Sequence, residues 1–208
     1  MTRFTFLAAL TLAAVPPLPA QSIGVSLVRL DTDHSLVHDL TGVELRVGSP
    51  NVATRLGIRF GFGRLTGDQE RVGSTCSGLV EPGMCPPEPL HDETRFTRGR
   101  GELSVALLRH GRSSLDLVAG LDVGHIRTDT YGRTSGARIA ADKTIWGPDI
   151  GGEARWIPSS TLPVGLEASF AVGGYHAAGN TVILDGYTPF ERSFSVKRVR
   201  VGAVFELR

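Results

Sequence analysis

The sequence predicts an all-β chain that closes into an eight-stranded antiparallel up-and-down transmembrane β-barrel. Three observations carry that expectation. Beyond Gln21, apolar residues recur at every second position over most segments, the period of a strand with one greasy face. The connections between these segments are short and long in turn, as in a barrel with one smooth rim and one elaborated rim. The face opposite the apolar one carries charges of both signs among glycine and serine.

Composition sets the frame. The 208 residues hold 22 Lys+Arg against 21 Asp+Glu, a formal net charge of +1. That balance argues against a nucleic-acid partner, which calls for a basic excess. A hydrophobic fraction of 41% sets the chain apart from disordered sequences. The 26 glycines follow no collagen-like period, so they serve strands and turns.

Residues 1–20 read as a cleaved signal peptide. Arg3 supplies a positive charge, Phe4–Val15 an apolar run, Pro16, Pro17 and Pro19 a break, and Ala20 a small residue before the cut. The run falls short of the ~20 apolar residues of a membrane helix. The mature barrel domain is therefore expected to span 21–208 and to begin at Gln21; its intact mass checks this, and Met1 retained in the envelope contradicts it. Export favours a disulfide between Cys76 and Cys85, nine positions apart, over a metal site. Two free thiols are the alternative.

Eight strands are expected in order: Ser22–Leu30, Leu40–Val47, Ala53–Leu65, Gly99–His110, Leu115–Arg127, Thr144–Ile157, Val164–His176 and Arg192–Leu207. The third sets Leu56, Ile58, Phe60 and Phe62 against Arg55, Gly57, Arg59, Gly61 and Gly63. The seventh sets Leu166, Ala168 and Phe170 against Glu167, Ser169 and Ala171, and the eighth Val199 and Val201 against Arg198 and Arg200. Short turns follow the second, fourth and sixth strands. Longer polar segments, Asp31–Asp39, Thr66–Arg98, Thr128–Lys143 and Ala177–Glu191, follow the odd ones. Thr66–Arg98 shows no strand pattern and reads as a functional loop. A Cys76–Cys85 bridge would pinch it and leave Gly78 to Met84 as its tip.

The two faces decide where such a barrel sits. The polar face carries Glu44, Arg46, Arg55, Arg59, Glu102, Asp116, Asp122, Glu153, Arg155, Glu167, Arg198 and Arg200. An eight-stranded barrel has room inside for side chains and none for an open pore. Opposite charges facing inward would pair across it. The charge network is expected among Glu44, Arg46, Arg59, Glu102, Glu153, Arg155, Glu167, Arg198 and Arg200, with outer-membrane lipid meeting the apolar face. A soluble lipocalin-like carrier, apolar inside, is the alternative. Trp146 and Trp156 stand ten residues apart on one strand and one face. At ~3.3 Å per residue and ~40° tilt they span roughly 25 Å, the height of an apolar band with an aromatic residue at each interface. Pro148 between them removes a ladder donor and suggests a bulge.

The signal, the eight alternating segments, the short turns and the final amphipathic strand together resemble the small outer-membrane β-barrel proteins of the OmpA/OmpX type. The resemblance covers the mature chain. It implies insertion in a bacterial outer membrane by the barrel-assembly machinery, with both termini in the periplasm. Such chains usually end on an aromatic residue; this one ends Phe205-Glu206-Leu207-Arg208, with its aromatic three places early.

No catalytic constellation is evident, and no cofactor or metal is expected. The six histidines form no metal motif. Gly173-Gly174-Tyr175-His176-Ala177-Ala178-Gly179-Asn180 has a faint likeness to the His-x-Ser-Asn stretch of lipid A deacylases, but Ala178 replaces the nucleophilic serine. The expected function is a non-enzymatic structural, adhesion or defence role carried by exposed loops whose ligand is unknown. A lipid-modifying or proteolytic barrel enzyme is the alternative.

Overall fold

The structure, a computed structural model, describes residues 21–34, 37–50, 55–74, 86–158, 163–177 and 193–207. These form β1 (Gln21–Thr32), β2 (Leu40–Pro50), β3 (Leu56–Gly73), β4 (Glu88–His110), β5 (Ser113–Gly132), β6 (Arg138–Trp156), β7 (Val164–Ala177) and β8 (Ser193–Leu207). Each strand pairs antiparallel with the next, and β1 pairs with β8 from Gln21↔Leu207 to Thr32↔Val196, closing the ring. There is no helix among the described residues. The expected eight-stranded up-and-down barrel is what the chain forms.

Its polarity is inverted relative to a water-soluble barrel. Leu27 is 70% exposed, Phe60 60%, Phe62 63% and Leu103 60%, while Glu44, Arg59, Glu102, Glu153 and Arg200 are buried inside. Period two sorts the strand residues in this way. The ionic side chains sit in a lumen walled by glycine as well as by pleat. At Gly151 the neighbouring strand approaches so closely that a Cβ would lie 2.0 Å from the Phe170 carbonyl oxygen. A valine there would force β6 and β7 apart.

The loop end departs from the sequence expectation. Thr66–Arg98 is not a 33-residue loop: β3 runs on to Gly73 and β4 begins at Glu88, paired from Thr66↔Arg95 to Gly73↔Glu88. Thr128–Lys143 is likewise mostly strand. β5 and β6 meet at Tyr131↔Arg138, joined by a turn that Gly136 closes at φ 68°. The reason is that both faces are polar here, so alternation carries no apolar contrast. The result is a four-stranded sheet, β3 to β6, standing beyond the ring. From Arg95 to Glu88, β4 alone adds roughly 20 Å of height at ~3.3 Å per residue and ~40° tilt.

Three smaller corrections follow from register. Pro148 causes no bulge: Trp146↔His176 and Asp149↔Gly173 keep one register across it, because a missing donor does not require an extra residue. The irregularity lies instead between Ala106 and Leu108 of β4, opposite β5. Arg55 is not on the lumen face. It is exposed, at φ 60°, in the bend that opens β3, where its carbonyl accepts from Ala106 N at 2.8 Å. The signal segment 1–20, Cys76, Cys85 and the tip Gly78 to Met84 lie outside the described residues.

Candidate functional site

The lumen is filled in layers. Seven arginines (Arg46, Arg59, Arg98, Arg100, Arg155, Arg198, Arg200) face seven carboxylates (Glu44, Glu102, Asp116, Asp122, Asp149, Glu153, Glu167). Near the turn end, Arg59 reaches Asp116 and Ser104, each at 3.3 Å. At mid-height Arg59 donates to Glu102 at 3.0 Å and to Glu153. Arg46 donates to Glu153 at 3.1 Å and to Glu167, which also accepts from Ser26 at 2.9 Å. Arg200 bridges Glu44 at 3.1 Å, Glu102 at 3.2 Å and Glu153. Arg155 comes no nearer a carboxylate than 3.6 Å, to Glu153.

Towards the loop end the pairs continue. Arg98 donates to Glu44 at 2.6 Å and to Asp122 at 3.2 Å. Arg100 grips Asp149 with two bonds of 2.7 Å. Arg198 stands 2.9 Å from Asp149, and Tyr175 donates to Asp122 at 2.7 Å. Arg98, Arg100, Asp149 and Tyr175 are absent from the lumen network expected from the sequence. Arg98 and Arg100 share the parity of Glu102, and that was the signal available.

Above the charges the lumen turns apolar. Phe96, Tyr175 and Phe194 pack edge to face at 5.8 and 5.6 Å, inside a buried cluster with Leu30, Leu40, Leu65, Ile126 and Ile145. Aromatic pairs of this geometry add ~0.5–1.5 kcal/mol each beyond their burial. Among the described residues, ionic layers lie below and an apolar cluster above.

On the outside, Trp146 and Trp156 both face outward, 46% and 57% exposed. Past the apolar residues the outer face becomes charged: Arg29 pairs with Asp39 at 2.9 Å and His125 with Asp142 at 2.6 Å. Beside Trp146, at a ring separation of 5.0 Å, His176 Nδ1 lies 2.9 Å from Ser193 Oγ. This hydroxyl comes from the neighbouring strand, so the local sequence around His176 did not reveal it.

The protruding sheet is pinned by carboxylates. Glu88 accepts from the amides of Thr134 and Ser135 at 2.8 and 2.9 Å and from Ser135 Oγ at 2.7 Å. Glu70 is held below the usual carboxylate range by its hydrogen bond from Arg133, Asp129 by Arg127 and then Arg138, and Asp33 by Ser195. Groups lowered on folding stabilise the fold above their unfolded values, near 4, and lose that effect as pH falls through the lower folded ones. Amide protection in β3 to β6 beyond the ring, taken relative to the intrinsic exchange rate at each pH, is therefore expected to fall below about pH 4. Protection unchanged down to pH 2 would show these pairs to be idle.

An eight-stranded antiparallel barrel with an ionic interior and an apolar exterior has the build of the small outer-membrane β-barrels. No protein-family model matches this chain, and no curated protein matches it. Among solved structures it is similar to a major outer membrane protein of Thermus thermophilus, with a TM-score of 0.55 and 11% identity over 89% of this chain and 99% of that one. It is also similar to Ail, the attachment invasion locus protein of Yersinia pestis, with a TM-score of 0.51 and 13% identity over 90% and 97% of the two chains. At such identities the likeness is one of fold.

Proposed function

We propose that this chain is a non-enzymatic outer-membrane barrel that holds the β3 to β6 sheet outside the membrane as a contact surface for adhesion or defence. The observation that carries this reading is the pairing of a plugged lumen with a tall polar sheet on one rim. Packed charges below an apolar cluster fill the described lumen, so the elaborated rim is where the chain meets a partner. The apolar belt meets outer-membrane lipid, Trp146 and Trp156 anchor its two interfaces, and the assembly machinery inserts the barrel after residues 1–20 are removed. The Cys76–Cys85 bridge orders the segment joining β3 to β4.

The test has two stages. Fractionation should recover the protein in the membrane pellet, with gel mobility that changes on boiling; recovery in the periplasmic extract would sink the reading. A variant trimmed to join β3 to β4 and β5 to β6 near the ring should keep that mobility and lose cell attachment or serum resistance. Unchanged attachment and resistance would remove the sheet from the function. Thiol labelling of the unreduced, denatured protein should find neither cysteine free.

The His176–Ser193 pair favours one second reading, an acyl hydrolase acting at the lipid interface. A fluorophosphonate that labels the wild type and spares Ser193→Ala would support it.

A further inference from the structure

The turn end of the barrel, opposite the protruding sheet, opens on a cavity of about 90 Å³. Arg59, Arg155 and Asp116 wall it from inside, Arg55, Arg109 and Arg112 from the rim, and Glu206 from β8. Five arginines thus meet two carboxylates, whereas the described lumen residues above balance seven against seven. The surplus has a specific location. Glu206 is taken by Arg112, and Arg59 is spent on Glu102, Glu153 and Asp116. Arg155 is 5% exposed, and its one carboxylate neighbour, Glu153 at 3.6 Å, already serves Arg46, Arg59 and Arg200.

Three buried atoms on this wall have no protein partner: Arg59 Nε and Arg155 Nε, both donors, and Asp116 Oδ1, an acceptor. An unmade hydrogen bond on a buried polar atom is costly, so they call for an occupant that both accepts and donates. Arginine's planar fork suits oxyanions. A carboxylate acceptor beside it suits an oxyanion that still carries a proton. The volume equals that of about three waters at ~30 Å³ each, room for one tetrahedral group.

We propose that this mouth is a phosphate site, in which a protonated phosphate, free or as a terminal monoester, accepts from Arg155 and donates its hydroxyl to Asp116 Oδ1. Arg55 at the exposed rim adds charge that draws the anion in.

The experiment titrates folded, detergent-solubilised protein, its folding confirmed by unboiled gel mobility, with inorganic phosphate, glycerol phosphate and sulfate by calorimetry near pH 6. Phosphate is expected to bind saturably at one site per chain, with Arg155→Met weakening it at least tenfold and Arg55→Met a few-fold. Sulfate, which has no proton to give Asp116 at this pH, should bind at least tenfold more weakly. Glycerol phosphate matching inorganic phosphate indicates a ligand that enters as a monoester, and its failure to bind indicates the free ion; both keep the site. If the folded wild type shows no saturable phosphate binding, the cavity holds water and the proposal is wrong. Equal binding of sulfate, or unchanged affinity in Arg55→Met where Arg155→Met does not fold, overturns it equally. Because this site lies at the other rim, a failed attachment assay leaves it standing, and the gel reports separately on the barrel they share.

Discussion

Arg200→Met is expected to cost the barrel about 3–5 kcal/mol of unfolding free energy, read from urea titration of the protein folded in lipid vesicles. Arg200 is wholly buried and touches Glu44, Glu102 and Glu153. Its loss leaves seven carboxylates to six arginines among the described lumen residues, buried away from bulk solvent. Most of the cost comes from the stranded acids, so Arg200→Met combined with Glu102→Gln should recover a good part of it. If the single change leaves the urea midpoint where it was, the lumen is wet and these residues are solvated.

Leu103→Arg should separate a membrane barrel from a soluble one more sharply still. Leu103 is 60% exposed on the outer face, paired with Ala119. On a water-facing strand such a change shifts stability by no more than ~0.5 kcal/mol. Facing lipid near the middle of the belt it costs ~2–4 kcal/mol. Folding yield and urea midpoint in vesicles measure it, and wild-type values for both would remove lipid from the outer face.

How far the fold is legible in sequence depends on whether the two faces of a strand differ. Within the belt they do. Phe60 and Phe62 against Arg59 and Gly61, or Val199 and Val201 against Arg198 and Arg200, define both strand and facing. Above the belt the contrast vanishes: in β4, Pro89, His91, Glu93 and Arg95 point out while Glu88, Asp92 and Thr94 point in, polar on both sides. The strand is held there by pairing partners that no local window contains. The plug was hidden for a related reason. Leu65 follows Phe62 with inverted parity, which reads as the end of a strand, yet β3 continues and the leucine turns inward to meet Phe96 and Tyr175. For the lumen, charge and parity reveal which residues enter, but which arginine meets which acid depends on the stagger of the ring.

The ladder between β1 and β8 has a consequence for how the molecule is made. The two strands that seal the barrel are β1 and β8, the first and last of its eight, so no closed ring exists until β8 has paired. Without β8 the lumen residues of β1 to β7 leave seven carboxylates to five arginines, because β8 carries the Arg198 and Arg200 that meet Asp149 and Glu44. Closure and charge cancellation are thus one event, late and cooperative. A chain without β8 would be left with open edges on β1 and β7 and with unmatched acids. The arrangement makes the fifteen residues of β8 a checkpoint on the integrity of the whole.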